Sequence, residues 1–290
     1  MALRISRLVV IGTGLIGGSF ALALKRAGVV GEVVGIGRRP ETLEEALKLG
    51  VIDRIGTYDA GSFAGAELVL VATPVGQMRT VFSSIAPLLP RQAVISDGGS
   101  TKQDVVALAR EFFSASMDRF VPAHPISGTE KNGPSAAFAD LYQSRRVILT
   151  PLRETSQAAA QLVRSAWESC GANVSELAPD THDAMLAAVS HLPHLLAFAL
   201  VDELACRKNG KELFSFAGGG FRDFTRIASS NPEMWRDIFM SNREAVSSDL
   251  LRYRDKLAEL QKLLDAGDGL ALEDVFKRSQ SARERWLRKD

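Results

Sequence analysis

The sequence predicts an α/β chain in two regions: a doubly wound parallel sheet over residues 1–178, then an all-helical region over residues 179–290. Three observations predict it. Short apolar runs alternate with amphipathic stretches through the first region, and a glycine-rich turn joins the first run to the helix after it. Beyond Pro179 strand runs stop, and long helical periods continue to the C-terminus.

Leu8-Val9-Val10-Ile11 reads as a buried strand, and Gly12-Thr13-Gly14-Leu15-Ile16-Gly17 fits G-x-G-x-x-G ahead of an apolar helix reaching Ala27. Gly12 permits a tight turn, Gly14 lets backbone approach a diphosphate, and Gly17 lets helix and strand pack closely. The unpaired N–H groups opening that helix, those of Leu15 and Ile16 included, then face the diphosphate. Such a turn can also be a mere connection, but its place between a buried strand and a helix favours a Rossmann-type dinucleotide site. Val33-Val34-Gly35-Ile36 is the second strand. The acid that takes the ribose hydroxyls, expected about 20 residues past the last glycine, is replaced by Gly37, with Arg38 and Arg39 following. Two guanidiniums suit a 2′-phosphate, so the expected cofactor is NADP over NAD; the competing reading makes both arginines solvated loop charges.

A helix over Glu41–Leu49 follows, then the strand Leu68–Val71, whose end places Thr73 and Pro74 at the ligand-binding edge of the sheet. Next come a helix over Met78–Ala86, the strand Ala93–Asp97, and a loop from Gly98 through Ser100 to Lys102 that opens a helix through Arg110. Phe120–Ala123 leads to His124, Val147–Thr150 is a further strand, a helix spans Ser156–Ser169, and a short strand lies near Val174. Within the helical region a single helix is expected from about Asp180 to Arg207, kinked at Pro193. Gly218-Gly219-Gly220 breaks the pattern. Asn231-Pro232-Glu233 then reads as cap, first position and acidic first turn of a helix reaching about Ala266, with a last helix from Leu270. Apolar stripes wider than one small domain can bury predict a homodimer.

Composition excludes several classes. The 290 residues are 46% hydrophobic and 24% charged with a net charge of +1, which gives no reason to expect nucleic acid or an anionic membrane as partner. Met185–Val201 is the most apolar stretch, but it contains His191, Pro193 and His194 and reads as a buried helix, not a membrane span. Too few residues precede the first strand for a signal peptide. Cys170 and Cys206 have no pairing or ligand spacing and read as reduced core thiols, so a cytoplasmic location is expected.

Several side chains could carry chemistry. His124, flanked by Pro122 and Pro125 at a strand end, suits a general base facing a nicotinamide; a surface-loop histidine fits the same spacing. Ser100 could bond a substrate hydroxyl, orient His124, or merely cap a helix. His191 and His194 would share a helix face, with His182 upstream, yet no acid or cysteine completes a metal set, so no metal is expected. Gly218 to Arg226 is a glycine turn running into Arg222 and Arg226, either of which offers a bidentate fork to a carboxylate or pairs with a nearby acid.

Together GTGLIGGS at Gly12–Ser19, ATPV at Ala72–Val75, DGGSTK at Asp97–Lys102, HPISGTE at His124–Glu130, SHLPH at Ser190–His194 and GGFRDFTRI at Gly219–Ile227 resemble the prephenate/arogenate dehydrogenases of tyrosine biosynthesis. The resemblance implies an NADP-binding domain, a helical dimerisation domain and oxidative decarboxylation of a cyclohexadienol, with no metal. It makes His124 the base and Ser100 the holder of the reacting hydroxyl. It gives Arg226 a substrate carboxylate, and lines the pocket with His182, His194 and the backbone at Gly219. Residues near Thr129 to Lys131, with His194, would discriminate prephenate from arogenate, Glu130 favouring an ammonium group. Tyrosine inhibition, if present, would then act at the active site. Many members carry an acid at the position of Gly37 and use NAD, a departure that leaves cofactor choice to Arg38 and Arg39. The rival readings are another NADP-dependent dehydrogenase or reductase acting on a hydroxy acid or imine, and a non-catalytic NADP sensor.

Overall fold

The computed structural model describes residues 3–129 and 131–288, so the Glu130 expectation lies outside the described residues. The chain falls into two compact units that divide after Arg243, so the residues on either side of position 178 lie in the first unit. The physical reason is that the helices following Pro179 are bonded into the sheet domain, through His182 to His124 and through Asp183 to the backbone at Lys102 and Gln103.

In the first unit β1 (Ile5–Ile11), α1 (Leu15–Arg26), β2 (Val30–Ile36), α2 (Pro40–Lys48), β3 (Arg54–Ile55), α3 (Ala60–Phe63), β4 (Leu68–Val71), α4 (Met78–Ile85), β5 (Val94–Asp97), α5 (Gln103–Phe112) and β6 (Phe120–Val121) build a six-stranded parallel sheet. Its order is β3-β2-β1-β4-β5-β6, with the reversal beside β1 that defines a doubly wound fold. Strand alternation sorts the core into two layers. Leu8 and Val10 of β1 face one side with Phe20, Leu24 and Trp167, while Val9 and Ile11 face the other with Phe82, Ile95 and Phe120. The α/β expectation therefore holds, with one addition. β7 (Ala123–Pro125), β8 (Arg146–Leu149) and β9 (Asn173–Glu176), with α6 (Gln157–Ser169) between the last two, form a separate three-stranded sheet. In it β7 runs antiparallel to β8, and His124 pairs with Ile148. Pro122 has no N–H to continue a ladder, so β6 ends there and the chain changes sheets.

The rest of the unit is helical: α7 (Pro179–Leu186), α8 (Leu192–Ala205), α9 (Gly210–Ser215), α10 (Gly219–Thr225) and α11 (Pro232–Ser241). The kink expected at Pro193 takes the form of a π-helical turn over Ala187–His191 between α7 and α8. Pro193 cannot donate to the carbonyl four residues earlier and its ring crowds that carbonyl, so the chain adds a residue just ahead of it. Asn231 caps α11 as expected, its side chain accepting from Met234 N at 2.9 Å. The long helix expected to reach Ala266 instead breaks at Asn242, whose amide is taken into a buried network.

Two further expectations are corrected. Met185–Val201 is not buried within this chain, since Met185 is 50% and Val189 74% exposed. Pro179–Ala205 as a whole is long and apolar enough to cross a membrane by length and composition. Yet its inner face carries His182, Asp183 and His191, all buried and hydrogen-bonded to protein. Cys170 is a core thiol, but Cys206 is exposed.

The second unit holds α12 (Arg243–Asp265) and α13 (Gly269–Leu287), the latter capped by Asp268, whose side chain accepts from Ala271 N. Its Leu264, Leu270, Phe276 and Trp286 are exposed, as are Phe216, Phe224 and Met240 of the first unit.

Candidate active site

The glycine turn has the geometry a diphosphate needs. Gly12 sits at φ +97°, and a Cβ there would lie 2.6 Å from the Ala72 carbonyl oxygen. A Cβ on Gly17 would lie 2.1 Å from the Gly12 oxygen and 2.7 Å from Val10 Cγ1, so only glycine lets α1 lie against β1. At Gly14 the nearest atom to such a Cβ is 4.0 Å away, leaving the backbone open on its outer side. Gly14 caps α1 without a side-chain bond and the first turn carries no acid, so the N–H groups of Leu15, Ile16 and Gly17 and the positive helix end remain for an anion. Tyr142, fully buried, fixes this end by donating to the Ile16 carbonyl at 2.6 Å. The hydroxyls of Thr13 and Thr73 are buried without a partner among the described residues. Open backbone, free N–H groups and two orphaned hydroxyls on one loop cluster fit a dinucleotide.

Arg38 and Arg39 follow β2 and are both exposed, Arg39 at the N-cap of α2. Arg38 lies near Tyr58, whose phenol is pushed up by burial against the opposing charge of Arg38. Pro74 is exposed and opens the short turn after β4.

At the edge of β5 the loop Gly98–Lys102 folds inward. Asp97 and Lys102 form an ion pair with no exposure on either side chain. The Asp97 carboxylate also accepts from Gly99 N at 2.7 Å and Ala123 N at 3.2 Å, while Lys102 Nζ donates to the Ala123 carbonyl at 2.7 Å. Both backbone groups of the residue before His124 are thereby clamped. Burial pushes the Asp97 carboxyl up, and the Lys102 charge opposes that rise. Ser100 is half-buried in this loop and is not the cap of α5. That helix is capped from a distance: Asp183 on α7 accepts from Lys102 N at 2.8 Å and Gln103 N at 2.9 Å.

His124 is buried to 9% exposure, and its Nδ1 lies 2.8 Å from His182 Nε2. His182 has no exposure, so within this chain it stands behind His124 and does not line a pocket as expected. Its Nδ1 lies 2.8 Å from Asp183 Oδ1. Burial raises the Asp183 carboxyl, but bonds from His182 and the N–H groups of Gln103 and Lys102 outweigh it and hold the group below the usual carboxylate range. His124 is driven well below the ordinary imidazole value by burial, then by the neighbouring His182, Lys102 and His191. The imidazole is therefore neutral at physiological pH.

His191 and His194 do share a face, and what they share is Trp235. The indole stacks on His194 at 3.7 Å and 23°, and meets His191 edge-on at 6.0 Å. Asn242 donates to the Asp183 carbonyl at 2.8 Å and lies 3.2 Å from His191 Nδ1. His194 Nδ1 donates to the Ser190 carbonyl at 2.8 Å, which leaves its Nε2 free. Burial lowers the His194 imidazole and the nearby Arg226 charge adds to that. Arg226 is exposed, and neither it nor Arg222 forms an ion pair among the described residues, contrary to the pairing considered above. Gly219 begins α10 with open space around it. Thr129 lines a separate cleft of about 320 Å³ with Ile126, Phe138 and Asp140. A larger cleft, about 540 Å³ beside Arg110, Glu154 and Asp180, holds none of the expected site residues.

Sequence reasoning missed Asp183, Lys102, Asp97, Asn242 and Trp235. Asp97 and Lys102 had a signal, since a charged pair brackets a loop of otherwise small residues after an apolar strand. Asp183 had only its adjacency to His182.

A nucleotide loop at the switch point of a doubly wound sheet, with a neutral imidazole held nearby on a second element, defines a dinucleotide-dependent dehydrogenase. Comparison with known proteins narrows the class. Residues 20–176 match the family model "Prephenate dehydrogenase, nucleotide-binding domain" and residues 178–278 match "Prephenate dehydrogenase, dimerization domain". The chain belongs to the prephenate dehydrogenase family. It is 36% identical to the prephenate dehydrogenase of Bacillus subtilis over 94% of this chain and 73% of that one. Identity to the cyclohexadienyl dehydrogenase of Zymomonas mobilis is 35%, over 95% of this chain and 94% of that one. The crystal structure of the A. aeolicus prephenate dehydrogenase in complex with hydroxyphenyl propionate and NAD+ superposes with a TM-score of 0.90 at 35% identity, covering all of both chains.

Proposed function

We propose that this protein is an NADP-dependent cyclohexadienyl dehydrogenase that oxidatively decarboxylates prephenate, arogenate or both, and that it works as a homodimer. The observation that carries the reaction type is the neutral, clamped imidazole of His124. A nicotinamide, when bound at the glycine turn, would supply the hydride acceptor. His124 takes the hydroxyl proton as hydride leaves the same ring carbon; the bond to the ring carboxylate then breaks, and its electron pair passes through the ring to the oxygen as carbon dioxide departs. Aromatisation drives the loss, so the residues need only bind, orient and hold the proton.

Ser100 is assigned to the reacting hydroxyl and Arg226 to a substrate carboxylate. His194 Nε2, the backbone at Gly219 and Thr129 are assigned to the rest of the substrate. Support for Arg226 is an exposed guanidinium without an ion-pair partner among the described residues, close to His194. Support for NADP is the absence of an acid at Gly37 and two exposed arginines at the end of β2; the A. aeolicus structure, bound to NAD+, makes NAD the reading to beat. A division into a nucleotide-binding region to residue 178 and a dimerisation region after it is supported by the two family models, which cover residues 20–176 and 178–278, and the "dimerization" description of the second supports the homodimer.

Initial rates with prephenate or arogenate, each with NADP or NAD, test the assignment. Turnover in an NADP column is expected. Arg38→Ala with Arg39→Ala should cost NADP about tenfold or more in kcat/KM for each lost phosphate pair and leave NAD nearly unchanged. Turnover with NAD alone would remove the arginine argument, and no turnover with either ring substrate from folded protein would remove the reaction.

A further inference from the structure

We infer that Asp183, acting through His182, sets which nitrogen of His124 carries the proton, and so makes the outer nitrogen the base. This rests on His124 being the base, and adds two positioning residues on α7 that the sequence placed elsewhere or not at all.

The inference follows from the donors and acceptors when the His182 ring carries one hydrogen. Asp183 is ionised and can only accept. Its Oδ1 receives Lys102 N–H and, 2.8 Å away, the Nδ1 of His182, which must therefore carry hydrogen. With that one hydrogen on the His182 ring, its lone pair is on Nε2. That atom lies 2.8 Å from His124 Nδ1, a separation that requires one hydrogen between the two nitrogens. Only His124 Nδ1 can supply it. His124 is thereby fixed as the Nδ1–H tautomer, with its lone pair on Nε2. Of the two rings His124 alone has exposure, 9% against none, so the basic nitrogen belongs to the ring that can meet a substrate.

Each end of this chain is itself fixed. Asp183 is held by the two N–H groups opening α5, and its backbone carbonyl by Asn242. His124 is held through Ala123 by Asp97 and Lys102. The titratable and charged groups around His124 are thus His182, Asp183 and His191 from the helical side, and Asp97 and Lys102 from the sheet side. Free imidazole offers no such constraint, and a relay of this form fixes geometry and tautomer and compensates the imidazolium that forms when the proton arrives. The proton taken from the hydroxyl stays on His124 Nε2. The Nδ1–H bond to His182 persists, and the Asp183 charge, one ring away, opposes the new positive charge. A second arrangement, His182 as an imidazolium donating to His124 Nδ1, would put hydrogen on the outer nitrogen and leave no base.

Long-range 1H–15N spectra of the imidazoles in the intact wild-type protein at neutral pH decide between them. Expected are Nδ1–H tautomers for both His124 and His182. An Nε2–H tautomer at His124, or a doubly protonated His182, overturns the inference whatever the activity. Kinetics give an independent reading. Asp183→Asn and His182→Leu should each lower kcat by about 10²-fold or more with KM for the ring substrate held within about threefold. His182→Gln keeps an acceptor toward His124 and a donor toward Asp183, and should recover at least about tenfold over His182→Leu. In Asp183→Asn the acidic limb of the kcat profile should move to lower pH, because an opposing negative charge has gone. An unmoved limb together with no recovery by Gln would mean that α7 merely supports the fold. Inactivity of wild type with retained Nδ1–H tautomers would instead refute the proposed reaction and leave the relay standing. His124→Asn that turned over normally would refute His124 as base.

Discussion

Replacing Lys102 with Met should expose how strongly the clamp around His124 depends on a buried charge pair. Lys102 and Asp97 have no exposure, and Lys102 Nζ is bonded to both Asp97 and the Ala123 carbonyl. Met fills a similar volume but leaves Asp97 with only two backbone donors, Gly99 N and Ala123 N, and strands the Ala123 carbonyl. Breaking a buried pair by removing one partner costs about 3–5 kcal/mol. With a urea slope of about 3 kcal/mol/M for a unit of this size, the midpoint should fall by about 1–1.7 M at neutral pH. The pH dependence has a definite sign. Burial already raises Asp97 and Lys102 opposes the rise, so without Lys102 the folded-state value climbs further above that of the unfolded chain. The folded variant then binds the proton more tightly than the unfolded one, and its deficit shrinks as pH falls through the raised value. Urea midpoints of both proteins across pH 5 to 8 test this. A midpoint unchanged at neutral pH, or a gap that widens on acidification, would refute the reasoning.

The two loop glycines should separate by function. Gly17→Ala forces a Cβ to within 2.1 Å of the Gly12 oxygen and should cost about 1–3 kcal/mol of stability along with cofactor binding, by thermal melts and titration. Gly14→Ala has 4.0 Å of room, so the melting temperature should hold while cofactor affinity falls; equal melting losses for both would contradict the packing described. His191, pushed down to about 4 by burial, is uncharged in the fold, whereas the unfolded chain takes a proton near the ordinary imidazole value. Between those values the unfolded state binds more protons, so stability rises with pH, and acidification from neutral to about pH 4 should cost up to about 3 kcal/mol through this group. His191→Asn should flatten that part of the midpoint-against-pH curve; an unaltered curve would show that His191 does not carry it.

How much of this was legible depended on how local the cause was. The strand–turn–helix of Gly12 to Gly17 and the cap at Asn231 arise from neighbours in sequence, and each stands where the pattern put it. The π-helical turn was half legible, since Pro193 signals a disruption but not whether the helix bends or gains a residue. The separate sheet holding His124 was not, because its antiparallel pairing to Ile148 spans residues far apart and β7 is only three residues long. Nor was the break at Asn242, where a good helical period yields to a long-range bond to Asp183. His182 was singled out for the wrong surroundings. A histidine in a first helical turn gives no sign of whether it faces a ligand or another histidine.

The carboxylate of Asp183 has one more consequence. Both α1 and α5 begin at the ligand-binding edge of the sheet, each with a positive end and spare N–H groups. At α5 that vacancy is filled by the protein's own anion, sealed in by His182 and Asn242; at α1 it is left open. The fold thus carries a resident counter-ion at one of these two helix ends and leaves the other open, so of the pair only α1 can take an incoming anion.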